Sequence, residues 1–106
     1  MKSSIRVLPD GREICKGYQW CKRVVQLRAR SEGYCEGGLM LPGHKAHYIG
    51  DEGDPQHITK RSKARDDRLT NLLWVCRSSH NAMDQARPAL RKQWEHAAKE
   101  RVASLA

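Results

Sequence analysis

Two histidines and one asparagine stand in an order and at intervals that suit proton transfer and cation binding. His57 is followed after 14 residues by Asn71, and after a further nine by His80. An imidazole titrates close to neutrality, so it can take a proton from water or bind a divalent cation in its neutral form. Singly, each residue has an ordinary explanation. A histidine in a polar loop lies at the surface, an asparagine forms a turn or caps a helix, and a histidine near a helix start faces solvent. Their joint spacing sets them apart.

Charge indicates the kind of partner such groups would meet. Lys and Arg number 20 against 12 Asp and Glu, a net +8 with a pI near 9.7, the footprint of a protein whose partner is rich in phosphate. Residues 1–32 carry 8 basic and 3 acidic side chains, 33–58 carry 1 and 4, and 59–106 carry 11 and 5. An acidic centre between basic flanks suits a site that holds a cation beside a polyanion. Cys15, Cys21, Cys35 and Cys76 form no CxxC pair, and no export signal precedes them, so a disulfide framework is not expected.

The stretch Gln56-His57-Ile58, a basic loop, and then Asn71-Leu72-Leu73-Trp74-Val75-Cys76-Arg77-Ser78-Ser79-His80-Asn81-Ala82-Met83-Asp84 resembles the HNH (His-Asn-His) endonuclease family. So does the upstream segment Arg30-Ser31-Glu32-Gly33-Tyr34-Cys35-Glu36, and the resemblance covers roughly residues 28–84, about half the chain. It implies a ββα-metal (His-Me) finger, in which a β-hairpin carries a general base and the following helix carries metal ligands. Carried over residue by residue, His57 would be the base, Asn71 would fix the hairpin loop that bears it, and His80 would bind the metal. Phosphodiester hydrolysis needs a base active near neutrality, neutralisation of charge on the phosphate, and a Lewis acid for the departing oxygen. One divalent cation, Mg²⁺ or Mn²⁺ first and Ni²⁺ or Zn²⁺ next, would complete that set. Lys60, Arg61, Lys63, Arg65 and Arg68 would contact the phosphates of DNA. Short free-standing chains of this type resemble those of phages and prophages, which makes DNA-packaging or DNA-processing proteins expected partners besides DNA.

Two departures from the family pattern matter. Cys35 and Cys76 stand as the first members of the family's two CxxC pairs, but Gly38 and Ser79 occupy the second positions, so no structural all-cysteine zinc site is expected. A substitute drawing on His44 or His47 with the two cysteines stays open, since imidazole also suits zinc. The residue before the base, usually Asp or His, is here the neutral amide of Gln56. Asp84 lies one helical turn after His80 on the same face, an interval at which relatives resembling the colicin nucleases place a ligand, and Asp54 is a further candidate. The alternative is a catalytically inactive nucleic-acid-binding module of the same fold, which Gln56 favours and the intact His57, Asn71, His80 set opposes. A structural part of a phage assembly is a third reading.

The elements that must position these residues are short. At 106 residues the chain is expected to be one domain, and with 39% hydrophobic residues and no phenylalanine its core is too small for a large apolar substrate cavity. No stretch approaches the ~18 apolar residues of a membrane span and no signal-peptide core is present, so a cytoplasmic protein with no membrane partner is expected. Ile5–Leu8 and Glu13–Cys15 around Pro9-Asp10-Gly11 predict a hairpin. Trp20, Val24 and Leu27 predict a basic amphipathic helix from Tyr18 to about Ser31, ended by Glu32 and Gly33. Residues 33–58 read as turns and short strands, Lys60–Arg68 as a charged loop and Leu72–Val75 as a buried strand. A helix capped by Ser78 or Ser79 follows, then one from Pro88 to about Val102 with Leu90, Trp94, Ala97, Ala98, Val102 and Leu105 on one stripe. His96 on that helix is expected to be structural or exposed. The whole reads as a small α+β domain over residues 1–106: a ββα-metal nuclease core with an N-terminal hairpin and helix and a C-terminal helix.

Overall fold

The computed structural model describes residues 4–105. Strands β1 (Ser4–Val7) and β2 (Glu13–Lys16) pair antiparallel with Ser4 opposite Lys16 and Val7 opposite Glu13. The chain reverses between them where Gly11 takes a φ of 94°, a conformation that favours glycine. Helix α1 (Tyr18–Ser31) ends on Glu32 in the left-handed region, and the N–H groups of Glu32 and Gly33 donate to the carbonyls of Ala29 and Arg28. Hairpin, helix and stop signal thus form where the pattern predicts.

The next segment contains a 3₁₀ turn at Glu36–Leu39 and is otherwise loop, pinned by the Cys35 N–H to His47 carbonyl bond and the Ile49 N–H to Gly33 carbonyl bond. A second antiparallel hairpin follows. Strand β3 (Asp54–His57) pairs with a later strand, Leu72–Val75, with Asp54 opposite Val75 and His57 opposite Leu72. Pro55 is tolerated because β3 is an edge strand with one neighbour. The long connection holds helical turn α2 (Arg61–Ala64) and a 3₁₀ turn at Leu69–Asn71 before β4 (Leu72–Val75). Helices α3 (Arg77–Asp84) and α4 (Pro88–Ser104) complete the chain, with Pro88 in the first turn of α4 where its missing N–H costs nothing.

β4 is the centre of the core. All four of its residues are buried, and they alternate between two clusters as a strand's period of two requires. Leu73 and Val75 pack with Ile58, Met83, Trp94, Ala98 and Val102, whereas Leu72 and Trp74 pack with Leu27 beside Trp20 and Val24. At ~1.5–3 kcal/mol for each buried large apolar side chain, this sandwich of β4 between α4 and α1 fixes the hairpin that carries His57. The result is a small α+β domain of two antiparallel hairpins and several helices.

Four expectations are corrected. The Lys60–Arg68 segment is not all loop, because Arg61–Ala64 closes a helical turn through Lys63 and Ala64 N–H bonds to the Lys60 carbonyl. Neither Ser78 nor Ser79 caps α3. The cap is Cys76, whose sulfur accepts from the Ser79 N–H. Leu105 leaves the apolar stripe of α4 and stays 43% exposed. The acidic centre is not all available to a cation, since Glu36 is buried and accepts from Arg30, Arg101 and the Trp74 N–H. His96 is exposed beside Glu100, as expected for one of its two roles. No helix among the described residues is long and apolar enough to cross a membrane.

Candidate active site

His57 is the last residue of β3, and its neighbours fix both its position and its protonation. The ring stacks on Trp20 of α1 with centroids 5.9 Å apart and planes 6° from parallel. Its Nε2 lies 2.8 Å from Asp67 Oδ1. Asp67 is fully buried and also accepts from the Cys15 N–H at 2.9 Å and from Arg65 Nε at 3.1 Å. Burial pushes the Asp67 carboxyl up, but the bonds from His57, Cys15 and Arg65 outweigh it and hold the group below the usual carboxylate range. For His57 the balance goes the other way. Burial depresses its pKa more than Asp67 raises it, so the ring stays neutral at neutral pH. A carboxylate can only accept, so Nε2 carries the proton and Nδ1 presents a lone pair.

Asn71 ties together the two ends of the connection that follows His57. Its Oδ1 accepts from the Thr59 N–H at 2.9 Å, its Nδ2 donates to the Asp66 carbonyl at 2.8 Å, and its own carbonyl accepts from the Ile58 N–H at 2.8 Å. Through Asp66 it also sets the backbone beside Asp67. An apolar or shorter side chain here would leave the Thr59 N–H and the Asp66 carbonyl without this clip.

Strand alternation sends Gln56 the opposite way from His57, toward α3. Its Nε2 donates to Asp84 Oδ1 at 3.1 Å, and the other carboxylate oxygen of Asp84 lies 3.3 Å from His80 Nε2 one helical turn away. Pro55, Gln56, His57, Lys60, Arg61, Ser62, His80 and Asp84 line one cleft of about 320 Å³. Two buried polar atoms of this group, Gln56 Oε1 and His80 Nδ1, have no hydrogen-bond partner. Exchanging the amide N and O of Gln56 would turn its orphaned oxygen toward the Asp84 carboxylate, a pairing of two acceptors that needs a cation between them. The donor set of one carboxylate, one imidazole and one amide therefore fits a hard, partly hydrated divalent cation. Among the described residues no three His, Cys, Asp or Glu side chains cluster as metal ligands. Asp54 is not brought to this group. It pairs with Arg77 at 3.2 Å.

The basic residues divide into two sets. Arg68 makes four bonds with Asp66 from its backbone and guanidinium, and Arg65 serves Asp67 and the Cys15 carbonyl. Lys60, Arg61 and Lys63 have no carboxylate partner among the described residues, and Lys60 and Arg61 line the cleft. Cys35 and Cys76 lie elsewhere. Ser79 Oγ is within reach of Cys35 Sγ at 3.5 Å, Cys76 Sγ at 3.3 Å and His44 Nδ1 at 3.2 Å, while His47 Nδ1 turns to the Lys45 carbonyl. A side chain at Gly38 would collide with the backbone of Lys45 and Ala46, so a cysteine has no room there.

Sequence reasoning missed Asp67 and Trp20, the two groups that hold His57. The only signal was the Asp66-Asp67 pair inside an otherwise basic segment, where a lone acidic doublet must serve a local purpose. Comparison of the chain with protein-family models, with curated proteins and with solved structures finds no match.

Proposed function

We propose that the chain is a metal-dependent endonuclease of the HNH type that hydrolyses DNA phosphodiester bonds, with β3, β4 and α3 acting as its ββα-metal finger. One observation carries the reading: a neutral, carboxylate-held histidine shares one cleft with the His80, Asp84 and Gln56 donors and with two unpaired cations. His57 Nδ1 takes the proton of the attacking water. Asn71 keeps the loop after His57 closed so that the imidazole does not drift, and Lys60 and Arg61 hold the phosphate against it. Asp84, His80 and Gln56 would hold the divalent cation, which would supply Lewis acidity for phosphodiester hydrolysis. Gln56 in place of a charged ligand favours one second reading, a nucleic-acid-binding module without catalysis. Supercoiled plasmid incubated with Mg²⁺, Mn²⁺, Ni²⁺ or EDTA separates the two. Nicking that EDTA abolishes and that His57→Ala removes supports the nuclease. Retention of the plasmid in gel-shift without nicking in any metal supports the binding module instead.

A further inference from the structure

A second cleft opens on the other side of Arg61. It measures about 480 Å³ and is lined by Cys15, Lys16, Gly17, Trp20, Arg61 and Arg65. Its walls come from the end of β2, the start of α1 and the α2 turn, so most of it is built by the N-terminal hairpin and helix rather than by the segment around His57 and His80. Two features join it to the first cleft. Arg61 lines both, and Trp20, which lines the second, is the residue on which the His57 ring stacks. The hairpin is also fixed in place, because Asp67 holds the Cys15 N–H at 2.9 Å and Arg65 holds the Cys15 carbonyl at 3.2 Å.

The cleft is strongly cationic. Lys16 is exposed and, like Arg61, has no carboxylate partner among the described residues. The acidic groups nearby are already engaged: Glu13 accepts from Arg23 at 3.0 Å, and Asp67 is buried against His57 and Arg65. The first turn of α1 adds no acidic side chain and no side-chain cap. What remains is two free cations around a hollow of mixed polar and apolar lining, suited to a phosphodiester backbone.

Resting on the nuclease reading, we infer that this cleft is a second backbone-binding subsite, in which Lys16 and Arg61 hold the phosphates next to the one at His57 on the same nucleic-acid strand. Lys16 is thus a substrate-binding residue contributed by the N-terminal hairpin. Arg61 is the link that keeps the strand continuous from one cleft to the next.

The test is fluorescence anisotropy of a short labelled DNA duplex in EDTA, where binding proceeds without cleavage, over a series of salt concentrations. Each phosphate neutralised contributes about 0.9 to the slope of log affinity against log salt. Lys16→Ala is expected to reduce the slope by about one, and Lys16→Glu to weaken binding at fixed salt about tenfold or more. Lys99→Ala, at another exposed lysine on α4, is expected to keep the wild-type slope. A wild-type slope in Lys16→Ala together with a reduced slope in Lys60→Ala would overturn the second subsite and leave the nuclease reading standing. Equal losses in Lys16→Ala and Lys99→Ala would overturn it too, as an effect of net charge alone. Failure of the wild-type protein to bind duplex even at low salt would remove the nucleic-acid reading itself.

Discussion

The carboxylate of Asp67 meets Nε2 of His57 at 2.8 Å from a fully buried position, and this contact decides which nitrogen of the ring is free. Because Asp67 is held ionised by Cys15 and Arg65 as well as by His57, it acts as a fixed acceptor. The N-terminal hairpin thereby becomes part of the support for the imidazole, although Cys15 and His57 are 42 residues apart in sequence. An Asp67→Asn substitution keeps the shape but removes the charge. It is expected to lower the cleavage rate about tenfold or more by loosening the ring and its tautomer. It should also move the acid limb of the pH–rate profile to lower pH, since the removed carboxylate was raising the His57 pKa against burial. An acid limb that stays in place or moves up would show that Asp67 does not act on the titrating base.

The same two groups contribute to the acid sensitivity of the fold, together with Asp66, which Arg68 also holds below its ordinary value. Both His57 and Asp67 have pKa values lower in the folded chain than their ordinary ones, so the unfolded chain binds more protons and stability falls as pH falls. The first loss begins below the ordinary histidine value of about 6.5 and the second below the ordinary aspartate value of about 3.9. Thermal melts across that range should show Tm declining in two stages, with the upper stage absent in His57→Ala. An upper stage that persists in that variant would assign the loss to another histidine.

His57→Ala is expected to lower metal-dependent nicking by ~10² or more while leaving duplex affinity close to wild type, because in the proposed mechanism the ring would act on the attacking water and Lys60 and Arg61 would hold the phosphate. Nicking at the wild-type rate would refute its assignment as base.

Glu36 tests how the hairpin is held. It is buried, and it bridges Arg30 of α1, Arg101 of α4 and the Trp74 N–H of β4 at 3.2, 2.7 and 2.8 Å. Glu36→Ala leaves two guanidiniums and a buried N–H without their acceptor, at an expected cost of ~3 kcal/mol in urea unfolding. Asp51→Ala removes an ion pair whose carboxylate is 89% exposed, and is expected to be close to neutral. Equal effects of the two substitutions would contradict the structural role given to Glu36.

Local signals were legible in the sequence where one residue type answers one local demand. Pro9-Asp10-Gly11 gave the first turn, Glu32-Gly33 the end of α1, and the unbroken apolar run Leu72–Val75 a strand buried on both faces. The His57, Asn71, His80 spacing placed three residues around one hairpin and its following helix, and the structure brings His57, His80, Gln56 and Asp84 to one cleft. What the sequence hid depends on distant partners. Glu36 and Arg101 are 65 residues apart, Cys15 and Asp67 are 52 apart, and nothing in the type of either residue announces the other. Arg65 and Arg68 read like Arg61 in a charge run, yet packing assigns them to Asp67 and Asp66. The Cys76 cap was masked by two serines with better capping propensity, because the thiol lies where the chain turns out of β4.

The donor set at Asp84 gives the last prediction. Gln56 donates its amide N–H to a carboxylate at 3.1 Å and, being neutral, supplies no charge to a cation. Gln56→Asp would set a second carboxylate facing Asp84 from one methylene farther back. Their repulsion would destabilise the metal-free protein, and a divalent cation between them would relieve it. Mn²⁺ should therefore bind this variant more tightly in a calorimetric titration and raise its Tm by more than it raises that of the wild type. His80→Ala should weaken Mn²⁺ binding and abolish metal-dependent nicking, whereas Asp54→Ala should leave both unchanged because Asp54 belongs to Arg77. Asp84→Ala separates the remaining possibilities: it should remove both binding and nicking if its carboxylate is the anionic ligand. Unchanged Mn²⁺ affinity in Gln56→Asp, with affinity and nicking retained in His80→Ala, would place the cation away from α3 and favour the binding module without catalysis.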